Sequence, residues 1–154
     1  MAPRRRPGVK SLIQSVEVTY LIHETEDPEK LGRAAAGLVG AGSVPEAEPL
    51  EGHFGNKITR ARVHVVGDEA ESAARKVFGA MSEELRQEIL SGIGAFVDEH
   101  SALYLRFDKQ LLVQGTLALG TGDPVRVKVK PRLFQAKGSA PDLYARLLEG
   151  GSAT

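Results

Sequence analysis

Cysteine is absent from the 154 residues, and so is tryptophan. Without thiols the chain has no disulfide framework, no thiolate metal site and no thiol nucleophile. Aromatic residues make up only 5 % of the chain, as three Tyr and five Phe. That leaves few rings for stacking on nucleic-acid bases. No apolar run approaches the roughly 20 residues of a membrane span, and the start lacks the hydrophobic region of a signal peptide. A soluble, cytoplasmic protein with no membrane partner is therefore expected. Net charge is missing too, with 20 Lys and Arg against 20 Asp and Glu, which by itself argues against a nucleic-acid partner. The length suits one domain with a core of its own.

The neutral total hides a segregated distribution. Residues 1–10 carry Arg4, Arg5, Arg6 and Lys10 and no acid, among two prolines and a glycine. They read as a disordered basic arm ahead of a single domain over 11–150. Residues 11–100 hold eight bases against sixteen acids, and residues 101–137 hold seven against two. Such asymmetry can create a local positive field on a neutral molecule.

The densest basic stretch is Val125 to Leu133. Arg126, Lys128, Lys130 and Arg132 share one parity, while Val125, Val127, Val129 and Leu133 share the other. Side chains alternate between the two faces of a strand, so the segment predicts an aliphatic row inside and four cations outside. Pro131 marks an edge strand or a strand end, because proline cannot donate to a ladder. Residues 58–66 repeat the design, with Arg60, Arg62 and His64 opposite Ala61, Val63 and Val65. A solvated outer face and a phosphate-binding face both fit this pattern.

The remaining elements follow from periodicity. Residues 12–22 alternate as a half-buried strand that buries Val16, Val18 and Tyr20. Asp27-Pro28 opens a helix carrying Leu31, Ala34, Ala35 and Leu38, which Gly40 closes. Residues 43–52 suggest at most a short irregular strand. Gly67-Asp68 and Ser82-Glu83-Glu84 begin two further amphipathic helices. Residues 101–107 alternate as a strand, Asp108-Lys109-Gln110 reads as a tight polar turn, and 111–119 as a largely apolar strand. Residues 120–124 then form a hairpin connection into the basic strand, and Pro141-Asp142 starts a last helix. This order predicts an α+β fold, mainly antiparallel sheet, with helices packed on one face and the other face open.

Catalytic motifs do not appear. The histidines at 23, 53, 64 and 100 form no HExxH or HxH spacing, so neither a zinc site nor any other metal site is expected. There is no Gly-x-Ser-x-Gly, no phosphate loop, and Gly120-x-Gly122 is too short for a dinucleotide fingerprint. His53 and Asp108 are the residues an acid/base pair would use, yet no spacing requires them to meet. No enzyme activity and no cofactor are expected.

Three stretches carry a family likeness. Glu51-Gly52-His53-Phe54-Gly55-Asn56-Lys57-Ile58, Tyr104-Leu105-Arg106-Phe107-Asp108-Lys109-Gln110 and Val125-Arg126-Val127-Lys128-Val129-Lys130 resemble, in order and spacing, the archaeal family described as predicted exosome subunits. Those are RNA-binding proteins with a fold like double-stranded-RNA-binding domains or a ribosomal protein that binds five-S rRNA. The likeness covers about residues 12–133. It implies a ribosomal-protein-like α+β fold, a homodimer, and RNA binding in an RNA-processing setting, with exosome or other processing subunits as partners. Phe54 stands where a second histidine is expected before the glycine, which weakens any histidine-pair chemistry. On this match His53, Asn56, Lys57, Arg106, Lys109 and Gln110 join Arg60, Arg62, Arg126, Lys128, Lys130 and Arg132 as candidate RNA-binding residues. The leading expectation is a non-catalytic module that grips the phosphates of structured RNA. The alternative is a homodimeric protein–protein interaction module of an RNA-processing assembly that makes no RNA contact.

Overall fold

Alternation of valine with polar residues makes Ile13–His23 the central strand, β1. The computed structural model describes residues 12–40, 45–51, 55–132 and 140–150. The arm expected at 1–10 lies outside them. After β1 come α1 (Pro28–Val39), β2 (Glu46–Glu51), β3 (Lys57–Val66), α2 (Asp68–Gly79) and α3 (Glu83–Ser91). A short 3-10 turn (Ile93–Phe96) leads to β4 (Leu103–Phe107), α4 (Lys109–Val113), β5 (Val125–Pro131) and α5 (Ala140–Gly150). The five strands form one antiparallel sheet in the order β2-β3-β1-β5-β4. The helices pack against it, and the expected α+β class holds.

Strand parity decides what lies on each side. Val16, Val18, Ala61, Val63, Val127, Val129, Leu103 and Leu105 are buried beneath the helices. Ala70, Ala73, Ala74, Val77 and Phe78 of α2 meet them across β1. Each large aliphatic removed from water here contributes about 1.5–3 kcal/mol, so a one-residue register slip would expose the whole row. Tyr20 packs in this layer at 2 % exposure, and burial raises its phenol pKa above the ordinary value.

The helix ends follow their sequence signals. The Asp27 side chain accepts from the amides of Glu29 (2.9 Å) and Lys30 (3.4 Å), Pro28 takes the first turn, and Gly40 closes α1 in the left-handed region. Ser82 accepts from the Leu85 amide at 3.1 Å to start α3. In α5, the buried Tyr144 hydroxyl donates to the Ser101 carbonyl at 2.6 Å and lies 3.1 Å from the Val129 carbonyl, tying the helix to β5.

Several expectations require correction. The apolar run 111–119 is not a strand: its first part belongs to α4, and among the described residues Leu119 alone pairs with a strand, through a single bridge to Phe107. Short apolar runs look alike as strand or buried helix, and here Asp108 decides for helix by accepting from the Leu111 amide at 2.9 Å. Asp108-Lys109-Gln110 is thus a helix cap and first turn, and residues 120–124 join an irregular segment to β5 rather than two hairpin strands. Gly120 is needed there, because a Cβ would sit 2.7 Å from the Asp108 Cα. β2, in contrast, is a regular strand paired with β3 from Glu46 to Glu51. Pro49 is tolerated because β2 is an edge. Of the two readings of Pro131, the strand end holds: β5 ends there and lies between β1 and β4.

Candidate nucleic-acid interface

The face of the sheet away from the helices carries the opposite parity of each strand. Strand register lines these residues up in rows. Glu46, Arg62, Thr19, Arg126 and Arg106 form one row across all five strands. His64, Glu17, Lys128 and Tyr104 form the next, and Val66, Ser15 and Lys130 the one beyond. On the other side of the first row lie Glu48, Arg60 and Leu21. Columns are about 4.8 Å apart and rows about 6.6 Å, so six predicted cations share one surface: Arg60, Arg62, Arg106, Arg126, Lys128 and Lys130.

That surface is electrostatically divided. On the β3 side the arginines are already paired, Arg60 with Glu48, and Arg62 with Glu46 (3.3 Å) and Glu17 (3.6 Å). On the β5–β4 side Arg106, Arg126, Lys128 and Lys130 have no ion pair among the described residues. The Lys128 ammonium lies 5.4 Å from the centroid of the half-buried Tyr104 ring, a cation–π distance. The nearby Asp98 carboxyl is held below its ordinary pKa, chiefly by the Ala102 amide it accepts from; the charge of Lys128 adds a smaller effect. Unpaired like charges one row apart repel, and an anion lying over them relieves the repulsion.

Other candidates are placed elsewhere. Lys57 is exposed at the start of β3 with the parity of Ala61 and Val63, so it leaves the cation face. Asn56 is exposed just before it, and Gln110 is exposed on α4. Arg132 is half-buried past the end of β5, its amide donating to the Leu12 carbonyl at 2.9 Å. His53 lies outside the described residues.

Lys109 differs most from its expected placement. It is 5 % exposed, and its ammonium donates to the Leu21 carbonyl (2.9 Å), to Glu26 (2.9 Å) and to Asp123. Glu26 also accepts from the His23 amide at 2.8 Å, and Asp123 contacts His23 Nε2 at 2.8 Å. His23, Glu26 and Asp123 hold ligand atoms within 4.8 Å of one another, a donor set that could hold a metal ion. The ammonium of Lys109 already binds two of these three groups, so the cation of this site is the chain's own. Sequence reasoning missed the cluster because Asp123 is 100 residues from His23, and Lys109 is 83 from Glu26.

The open face also holds a hollow of about 340 Å³, lined by Glu17, Thr19, Glu46, Arg60, Arg62 and Arg126 among others. A second hollow of about 440 Å³, mostly apolar, lies between α1 and the β2 edge, with Tyr20, Ile22 and Pro45 in its walls. Among the described residues no helix is long and apolar enough to cross a membrane.

One-sided helical cover with a cation-bearing open sheet is the architecture of a nucleic-acid-binding α+β module. Residues 15–131 match the family model described as RNA binding, and the chain belongs to that family. It is 29 % identical over 133 residues to a protein of Pyrococcus abyssi named as an RNA-binding protein, covering 82 % of this chain and 86 % of that one. A crystal structure of a protein from Archaeglobus fulgidus superimposes with a TM-score of 0.75 at 28 % identity, covering 88 % of this chain and 99 % of the other. A DUF54 protein from Methanothermobacter thermautotrophicus gives 0.69 at 25 % identity, covering 90 % and 99 %.

Proposed function

We propose that this protein grips the backbone of structured RNA with the β5–β4 half of its open sheet face, without catalysing a reaction. The observation that carries this is the set of four cations, Arg106, Arg126, Lys128 and Lys130, gathered on one surface with no carboxylate partner among the described residues. Membership in an RNA-binding family supports it. A flat basic face with one half-buried ring suits contact with phosphates and 2′-hydroxyls more than stacking on unpaired bases.

The test compares an RNA hairpin having a long stem with an unstructured strand of equal length. Preference for the stem is expected; equal affinity for both contradicts backbone grip of folded RNA.

The finer reading is a cytoplasmic homodimer acting as an accessory subunit of RNA processing, associated with the exosome. Its support is the family resemblance in the residues, including the likeness to double-stranded-RNA-binding domains. The β2 edge, whose outer side has no partner strand among the described residues, is available for a second copy. Sedimentation at micromolar concentration should give twice the chain mass. Processing subunits should co-purify with the chain and be lost after nuclease treatment if RNA bridges them.

A further inference from the structure

We propose that the hollow spanning β2, β3, β1 and β5 on the open face is a pocket for one unpaired guanine nucleotide. Guanine selectivity rests on the RNA-binding reading above and narrows it to a particular base beside the gripped stem.

The hollow's volume of about 340 Å³ falls within the roughly 300–1,000 Å³ typical of small-ligand sites. Its lining carries both signs of charge, whereas the described β5 and β4 residues on the surface beside it, Arg106, Arg126, Lys128, Lys130 and Tyr104, include no carboxylate. Arg126 stands at the boundary with no ion pair among the described residues.

Glu17 is the informative residue. It sits on the central strand, in the row of Lys128, and its side chain keeps 26 % exposure. Its contacts are long, 3.4 Å to the Thr19 hydroxyl and 3.6 Å to Arg62. An ionised carboxylate offers about four acceptor sites, so most of the capacity of Glu17 is open among the described residues. A carboxylate in the middle of a phosphate-binding face opposes RNA unless the RNA offers it donors.

Guanine alone among the four RNA bases presents two neighbouring donors, N1–H and the N2 amino group, on its Watson–Crick edge. A carboxylate accepts both at once. The opposite edge, O6 and N7, takes an arginine in bidentate fashion. The hollow supplies carboxylates and guanidinium groups within one nucleotide's reach, and guanidinium planes can stack on a base where rings are scarce. Glu46 and Glu48 hold Arg62 and Arg60 in place as the β2 wall, while Lys128 and Lys130 continue along β5 to take the flanking phosphates.

The test titrates guanosine, inosine and adenosine monophosphates into the isotope-labelled full chain and follows amide shifts by NMR. Guanosine monophosphate is expected to perturb residues around Glu17 and Arg126 and to bind roughly 5- to 150-fold more tightly than adenosine monophosphate. Inosine monophosphate, which lacks the N2 amino group, should fall between them. Glu17→Gln should erase the ranking. Equal responses to the three nucleotides, or a ranking that survives in Glu17→Gln, would overturn the proposal. Comparison on the unaltered chain is decisive even if the variant folds poorly. Failure of the broader reading looks different: hairpin RNA would not bind at low salt, whatever the mononucleotides do.

Discussion

Lys109 shows how a cation can serve the fold instead of a ligand. Its ammonium closes a cluster that joins the end of β1, the turn before α1, the start of α4 and the segment ahead of β5. Lys109→Met removes the charge and leaves Glu26 and Asp123 facing each other. A loss of about 3 kcal/mol is expected, the lower end of the range for breaking a buried pair, readable as a lower urea midpoint. RNA affinity per folded molecule should change little. Tyr144 makes a pH prediction. Burial raises its phenol pKa above the ordinary 10.0, so the folded state favours the neutral form. Stability from this group is full below pH 10 and falls as pH rises past it. Urea midpoints between pH 9 and 11 should drop more steeply in the native chain than in Tyr144→Phe.

At the scale of elements, β3 and β5 look alike in sequence and differ in the structure. Both alternate aliphatic with cationic residues, and that much was legible because the period of a strand is two. What separates them is β2, whose register sets Glu46 opposite Arg62 and Glu48 opposite Arg60. A strand read as irregular gave no register, so the neutralisation of β3 could not be anticipated. α4 was misread for a related reason: Leu111 and Leu112 suit either element, and only the cap contact from Asp108 distinguishes them. Lys109 was out of reach because its partners come from distant parts of the chain. The division of the face yields a direct comparison. Lys128→Glu with Lys130→Glu should weaken hairpin binding by at least tenfold at low salt. Arg60→Ala with Arg62→Ala should cost less than threefold, since those groups already face carboxylates and rim pairs contribute little. Filter binding or fluorescence anisotropy distinguishes these outcomes, and equal losses would contradict the divided face.

Across the whole molecule, zero net charge coexists with a concentrated positive surface because folding sorts the charges. The late, basic part of the chain returns as β5 to pair with β1, while the acids of β2 are held at the far edge beyond β3. The fold class was readable from element order, and so was the gathering of cations on one side; which of them lack an ion pair among the described residues required the register. The measurement closest to the central claim is hairpin affinity across a salt series, for the native chain and for Arg126→Ala, Lys128→Ala and Lys130→Ala combined. Each neutralised phosphate contributes about 0.7–0.9 to the slope of log affinity against log salt, so the four cations that have no ion pair among the described residues predict a native slope of roughly −2.8 to −3.6, with two to three of those units lost in the triple variant. A native slope near zero, or one that the triple variant leaves unchanged, would contradict the account.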